Sequence, residues 1–230
     1  MIPKKIHYCW FGRAEKPKSV QKCIASWEKY CPNYEITEWN EDNFDIDYNP
    51  YTKMCYEQKK FAFLSDFVRL LVIEENGGIY LDTDVELIKP LDDLLNNEAY
   101  IGFETDEYVN TGMGFGSVAH GAMVREMIAQ YDELSDGTHA TVSCPILNTQ
   151  AMDKLGMQRN GKMQHLSQAT VYPAEWFNPY NSVTGVLKKT DNTVSIHWYS
   201  KSWMSKATVI RCKLLRPLHR FQCVVKRKEL

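Results

Sequence analysis

Within its first forty residues the chain changes its hydrophobic period twice. Residues 5–11, KIHYCWF, gather β-branched and aromatic side chains between a Pro-Lys-Lys lead and Gly12, as a strand does. Val20, Cys23, Ile24 and Trp27 then recur at helical spacing over 19–30, with Ser19 as a candidate cap. Cys31-Pro32-Asn33 breaks that helix, and YEITEW (34–39) reads as a second strand. Strand, helix and strand in so short a span open a parallel α/β sheet, because parallel neighbours need a long crossover. A nucleotide-binding half-fold follows as an expectation, but no G-x-G-x-x-G is present, so nothing points to a dinucleotide.

At 230 residues and 44% hydrophobic, the chain has the material for one substantial core. No apolar run approaches the ~18 residues of a membrane span, and MIPKKIHYCWFGR lacks the apolar region of a signal peptide. Seven cysteines, an odd number without a C-x-x-C pair, favour a reduced, cytoplasmic setting and argue against zinc. The net charge of −2 is unevenly spread: residues 211–230 hold seven Lys/Arg and one Glu, and the remainder holds 20 basic and 28 acidic residues. An acidic body with a basic tail is not the profile of a nucleic-acid binder. The expected division is therefore one domain over 1–210 and a basic tail over 211–230. That tail alternates cations with Leu, Phe, Val and Cys, which suits peripheral contact with the inner face of an anionic membrane and equally a solvated helix packed on the domain.

The middle of the chain carries the chemistry. A helix is expected from about Tyr56 to Glu75, with Phe63, Phe67, Leu70, Leu71 and Glu74 marking its period and Asn76-Gly77-Gly78 its stop. Asp66 and Arg69 share a face of it. Alternation over Ile79–Val85 then predicts a strand with Tyr80, Asp82, Asp84 and Glu86 on one side. Two carboxylates on one face repel unless a cation lies near, and oxygen donors of this kind suit Mg²⁺ or Mn²⁺. In open α/β sheets, ligands sit beyond the carboxyl ends of strands, where this pair is expected. A bare D-x-D is equally a pair of solvated acids, and Asp66 with Arg69 is equally an intrahelical ion pair.

Together, FAFLSDFVRLLVIEENGGIYLDTDVELIK (61–89) resembles glycosyltransferase family 32. These are DXD-containing enzymes of yeast initiating mannosyltransferase and bacterial capsule-locus type. The residues that carry the likeness are Ala62, Ser65, Asp66, Arg69, Gly77, Gly78, Tyr80, Asp82 and Asp84. It extends to IPKKIHYCWFG at the start, to Phe177-Asn178-Pro179, and to His197-Trp198 with Ser202-Trp203, covering roughly 1–205. The clostridial glucosylating toxins have a similar core. The resemblance implies a GT-A fold, a single Rossmann-like domain with a mixed central sheet, and a retaining, metal-dependent transfer of a hexose or N-acetylhexosamine. It implies a nucleotide-sugar donor, UDP-linked rather than GDP-linked by analogy with short bacterial relatives and the toxins. It also implies a glycan or lipid-linked glycan acceptor, as in surface-polysaccharide assembly.

The same resemblance implies roles. Asp84 would bind Mn²⁺ or Mg²⁺ directly, Asp82 would be shared between metal and ribose, and His197 would be the C-terminal metal ligand. Asp66 and Arg69 would hold hydroxyls of the donor sugar, Trp10 would stack on the base, and Ser202 and Trp203 would close over the diphosphate. Asn110, in VNTGMGFGS, is a candidate for the pocket wall. Cys144-Pro145 stands where the family carries Gly-Pro, which leaves any acceptor-side role of that segment open. The chemistry is consistent: expelling a diphosphate while an oxocarbenium-like carbon develops calls for a Lewis acid and hydrogen-bond donors on the leaving group. No base for the acceptor hydroxyl is evident. A metal-dependent phosphohydrolase and an inactive nucleotide-sugar-binding protein are the alternatives.

Overall fold

The computed structural model of the chain describes residues 1–139, 141–200, 211 and 215–217. Strand β1 (Lys5–Cys9), helix α1 (Lys18–Tyr30) and strand β2 (Glu35–Trp39) form the expected opening unit, and β1 and β2 pair in parallel. Helix α1 begins after Pro17 without a side-chain cap, so Ser19 lies inside its first turn and is not the cap. Its buried face is Val20, Cys23 and Trp27.

The single helix expected over 56–75 is two: α2 (Pro50–Glu57) and α3 (Phe61–Asn76). Asn49 caps α2 by accepting from the Thr52 N–H, while the Thr52 hydroxyl accepts from the Asn49 N–H. The break between the helices is local: Lys59 takes a left-handed φ of 55°, a conformation that ends helices. Helix α3 buries Leu64, Phe67, Val68, Leu70, Val72 and Ile73, a wider apolar face than one seam. It ends where anticipated, with Gly77 at φ 61° and its N–H on the Ile73 carbonyl.

The next segment departs most from expectation. The strand read over Ile79–Val85 is interrupted: β3 (Gly78–Tyr80) belongs to the main sheet, residues 81–84 turn, and β4 (Val85–Leu87) joins a separate ribbon. The chain continues through β5 (Ala99–Gly102), β6 (Phe115–Ser117), α4 (Ala122–Ala129), α5 (Cys144–Lys154), β7 (Gln164–His165) and β8 (Thr170–Tyr172). A hairpin of β9 (Tyr180–Asn181) and β10 (Val186–Leu187) precedes β11 (Ser195–His197), which pairs antiparallel with β4. The central sheet has seven strands in the order β2-β1-β3-β6-β5-β8-β7, mixed because β6 runs antiparallel to both β3 and β5.

Helices cover both faces of this sheet. Phe67, Leu70 and Ile73 of α3, Met123 and Met127 of α4, and Ala151 and Met152 of α5 fill one side. Cys23 and Trp27 of α1 pack with Leu87, Leu91, Leu94 and Phe177 on the other. Helix α1 also pins the ribbon: the Trp27 indole donates to the Val85 carbonyl at 2.8 Å and the Leu87 N–H donates to Ser26 Oγ at 2.9 Å. No helix among the described residues is long and apolar enough to cross a membrane. The proposed tail lies almost wholly outside them.

His7 ties β1 to the end of β2 and the start of β3, the three parallel strands at one side of the sheet. Its Nδ1 accepts from the Trp39 indole N–H at 3.1 Å, so Nε2 carries the proton and donates to the Gly77 carbonyl at 3.0 Å. Burial pushes its pKa down from 6.5 to about 4, the Gly77 hydrogen bond only partly opposing this. The unfolded chain therefore takes up this proton first: the stability that neutral His7 supplies is intact above pH 6.5, and its loss is complete near pH 4. Urea unfolding between pH 7 and pH 4 is expected to show this as a loss of up to about 3 kcal/mol in the wild type relative to His7→Gln.

Candidate active site

The site is built where β3 leaves the main sheet, at the carboxyl ends of β1 and β3. At its centre is Arg69, only 2% exposed. One terminal nitrogen of its guanidinium donates to Asp66 Oδ1 at 2.8 Å and to Asp82 Oδ1 at 2.9 Å. The other donates to Thr111 Oγ1 at 3.2 Å and lies 4.0 Å from the Cys144 sulfur, while Nε donates to the Ser65 carbonyl. Tyr80 stacks beneath, its ring 4.8 Å from the guanidinium carbon and its hydroxyl donating to Asp82 Oδ1 at 3.1 Å. Burial alone would disfavour the charge, yet Asp82 and Asp66 hold Arg69 firmly protonated.

The two acids of the D-x-D are electrostatically unlike. Burial raises Asp82 above the usual carboxylate range although Arg69 pulls the other way. Burial likewise pushes Asp66 up to about 6, with Arg69 opposing and Asp82 reinforcing. Desolvation would raise part-buried Asp84 too, but the His197 imidazole and the Ser200 hydrogen bonds overcome that and hold it well below the usual range. His197 Nε2 lies 3.2 Å from Asp84 Oδ1, and the Ser200 N–H donates to Oδ2 at 2.6 Å. The same charge raises His197 against the effect of its own burial.

Asp82, Asp84 and His197 each offer a donor atom, and these lie within 4.8 Å of one another. The turn at 81–84, not a shared strand face, brings the two carboxylates together, and β11 delivers the imidazole by pairing His197 with Val85. Two carboxylates and an imidazole suit a divalent cation that accepts oxygen and nitrogen donors. His197 Nδ1 is buried with no hydrogen-bond partner among the described residues, so the ring is not committed to a structural role on that side. The donor set fits a metal.

Asn110 closes the opposite side. Its Oδ1 accepts from the Gly112 N–H at 2.7 Å and from the Cys144 thiol at 3.4 Å. Gly112 approaches so closely that a Cβ there would stand 2.5 Å from Asp82 Oδ2. Asn148 of α5 accepts from the Thr111 N–H and hydroxyl, locking that loop to the helix. Cys144 therefore lines the site beside Arg69 and Asn110. Trp10 stands apart at the end of neighbouring β1, half-buried, its indole donating to the Ala14 carbonyl at 2.7 Å and the Lys16 ammonium 5.8 Å over its ring. Ser202 and Trp203 lie outside the described residues.

Sequence reasoning gave no role to Tyr80, Thr111, Gly112, Asn148 or the Ser200 backbone. Tyr80 had a signal, since alternation places it with Asp82. The others depend on loops that meet only in the fold.

Comparison with known proteins bears on the family and on the fold. Residues 17–101 match the family described as "Glycosyltransferase sugar-binding region containing DXD motif", which supports a likeness to DXD-containing glycosyltransferases. Inositol phosphoceramide mannosyltransferase 3 of Schizosaccharomyces pombe is 30% identical over 124 residues, 50% of this chain and 33% of that protein. Subversion of eukaryotic traffic protein A of Legionella pneumophila is 26% identical over 119 residues, 40% of this chain and 18% of that protein. The chain thus spans a third or less of the length of these relatives. Among solved structures, PaToxG glycosyltransferase superposes with a TM-score of 0.55 at 16% identity, covering 66% of this chain and 69% of that one. The fold is GT-A, as the resemblance implied.

Removing Arg69 would strand two part-buried carboxylates. Arg69→Met is expected to cost roughly 3–5 kcal/mol at pH 8. The loss should shrink at pH 5, because Asp66, with its raised pKa, takes up a proton in the folded state and sheds the uncompensated charge. Urea midpoints at the two pH values measure both effects.

Proposed function

We propose that the chain is a metal-dependent, retaining glycosyltransferase that moves a hexosyl or N-acetylhexosaminyl group from a UDP-linked donor to a glycan or lipid-linked glycan. The observation that carries this is the junction of two parts through Asp82: the Asp66–Arg69 helix face, inside the matched DXD region with Asp82 and Asp84, and the donor set that His197 completes from outside it.

Asp82, Asp84 and His197 would hold the cation, whose chemistry there is to neutralise charge on a departing diphosphate. The imidazole favours Mn²⁺ over Mg²⁺, which prefers all-oxygen coordination. Asp82 is oriented by Arg69 and Tyr80, so its remaining oxygen Oδ2 points past Gly112 into the site. Asp66, fixed by Arg69, is placed to accept from sugar hydroxyls, and Trp10 offers an aromatic face at the next strand end for the base. Ser202 and Trp203 complete this reading as donors to the diphosphate. The acceptor proton leaves with the phosphate oxygen as the glycosidic bond forms. The enzyme would work in the cytoplasm, its basic tail resting on the inner membrane face where a lipid-linked acceptor is found.

The test is UDP release from a panel of UDP-sugars. Release is expected with Mn²⁺, to cease with EDTA, and to fall at least about 100-fold in Asp84→Ala. Release of inorganic phosphate from simple phosphate esters, with UDP-sugars untouched, would sink the transferase reading in favour of a phosphohydrolase.

A further inference from the structure

Glu104 lies two residues after the end of β5. Its N–H donates to the Tyr108 carbonyl at 2.7 Å and its own carbonyl accepts from Asn178 Nδ2 at 3.0 Å, so the backbone is fixed from both sides. One carboxylate oxygen accepts from the Tyr199 hydroxyl at 2.8 Å. Among the described residues the other oxygen has no hydrogen-bond partner and the side chain forms no ion pair.

Tyr199 is itself held in an unfavourable shape. Its φ of 51° is left-handed, which costs a non-glycine residue of order 1 kcal/mol or more. The conformation places its ring 4.1 Å from the His197 ring and presents the next residue, Ser200, to Asp84. The strained residue thus clamps Glu104 beside the donor set without making Glu104 a member of it. Through Tyr199, Glu104 stands one side chain away from His197.

The Tyr199 hydroxyl occupies one oxygen of Glu104 and leaves the other open, on a side chain held next to the Asp84–His197 pair. We propose that Glu104, oriented by Tyr199, binds the acceptor. Its unpaired oxygen accepts a hydrogen bond from one hydroxyl of a polyhydroxy acceptor, so that a neighbouring hydroxyl is aimed at the anomeric carbon. This rests on the transferase reading and narrows its acceptor to a sugar that carries adjacent hydroxyls. Glu104 takes no proton: the bond from the attacking oxygen to the anomeric carbon forms as the bond to the phosphate oxygen breaks, and the proton of the attacking hydroxyl leaves with the diphosphate.

Glu104→Gln tests it, because the Tyr199 hydroxyl holds the amide oxygen and turns the amide NH₂ toward the acceptor, replacing an acceptor of hydrogen bonds by a donor. The probes are methyl glycosides of glucose, galactose, mannose and N-acetylglucosamine, added to the best UDP-sugar with Mn²⁺. In the wild type at least one glycoside is expected to accelerate UDP release and to appear as a disaccharide product. In Glu104→Gln its KM should rise at least tenfold with kcat within about threefold, while UDP–Mn²⁺ affinity by calorimetry stays within twofold. Tyr199→Phe should raise the same KM less. An unchanged KM overturns the inference, as does parallel loss of UDP–Mn²⁺ affinity, which marks a structural role. A wild type that releases UDP with water but accepts no glycoside overturns it too, leaving the transferase reading standing. A wild type that neither binds nor consumes any UDP-sugar removes the transferase reading and this inference with it.

Discussion

The site depends on one buried guanidinium. Arg69 is almost wholly enclosed, and the elements that meet around it are otherwise unrelated in sequence: α3 through Asp66, the turn after β3 through Asp82, the loop before β6 through Thr111, and the start of α5 through Cys144. A buried ion network of this kind adds little net stability compared with an apolar core of the same shape. Here it supplies geometry. With its charge shared between two carboxylates and its plane lying against Tyr80, Arg69 leaves the Asp82 side chain little choice of orientation. The hydrogen bonds of Asn148 to Thr111 and of Asn110 to Gly112 then hold the facing loop at the spacing Asp82 requires.

Asp84 is governed by the other half of the molecule. Its countercharge is His197 on β11, and its second oxygen is capped by the Ser200 backbone. Helix α1 fixes β4 through Trp27 and Ser26, and β4 in turn fixes the register of β11. So the acids of one D-x-D, two residues apart, answer to different parts of the fold: Asp82 to a cation built into the core, Asp84 to a partner that arrives along a two-stranded ribbon.

Much of the scaffold was legible from the residues. The β1-α1-β2 opening was plain from period and breakers, and the end of α3 from Asn76-Gly77-Gly78. What periodicity could not show was the turn within LDTDV. The residues alternate as a strand does, and only competition between two sheets, β6 on one side and β11 on the other, bends the chain between Tyr80 and Val85. The split of the long helix was likewise hidden, because Lys59 and Lys60 carry good helical propensity and nothing in their sequence marks the left-handed turn at Lys59. In the site, Asp66, Arg69, Asp82, Asp84 and His197 were found because a motif carries them. Cys144 drew notice only as a departure from Gly-Pro, and its place beside Arg69 and Asn110, like that of Gly112 beside Asp82 and of Glu104 beside Tyr199, spans 30 or more residues that no local pattern connects.

The position of His197 along the chain has a consequence for when the molecule becomes competent. The seven-stranded sheet has its last strand by Tyr172, with α1, α3, α4 and α5 already in place to cover it. The imidazole comes later, after the β9–β10 hairpin, and so does Tyr199, which clamps Glu104. A chain emerging from the ribosome can therefore pair its main sheet and form the Arg69 network before Phe177, Val194 and His197 have been made. Assembly of the sheet and completion of the candidate donor set are separate in chain order, with synthesis itself setting that order.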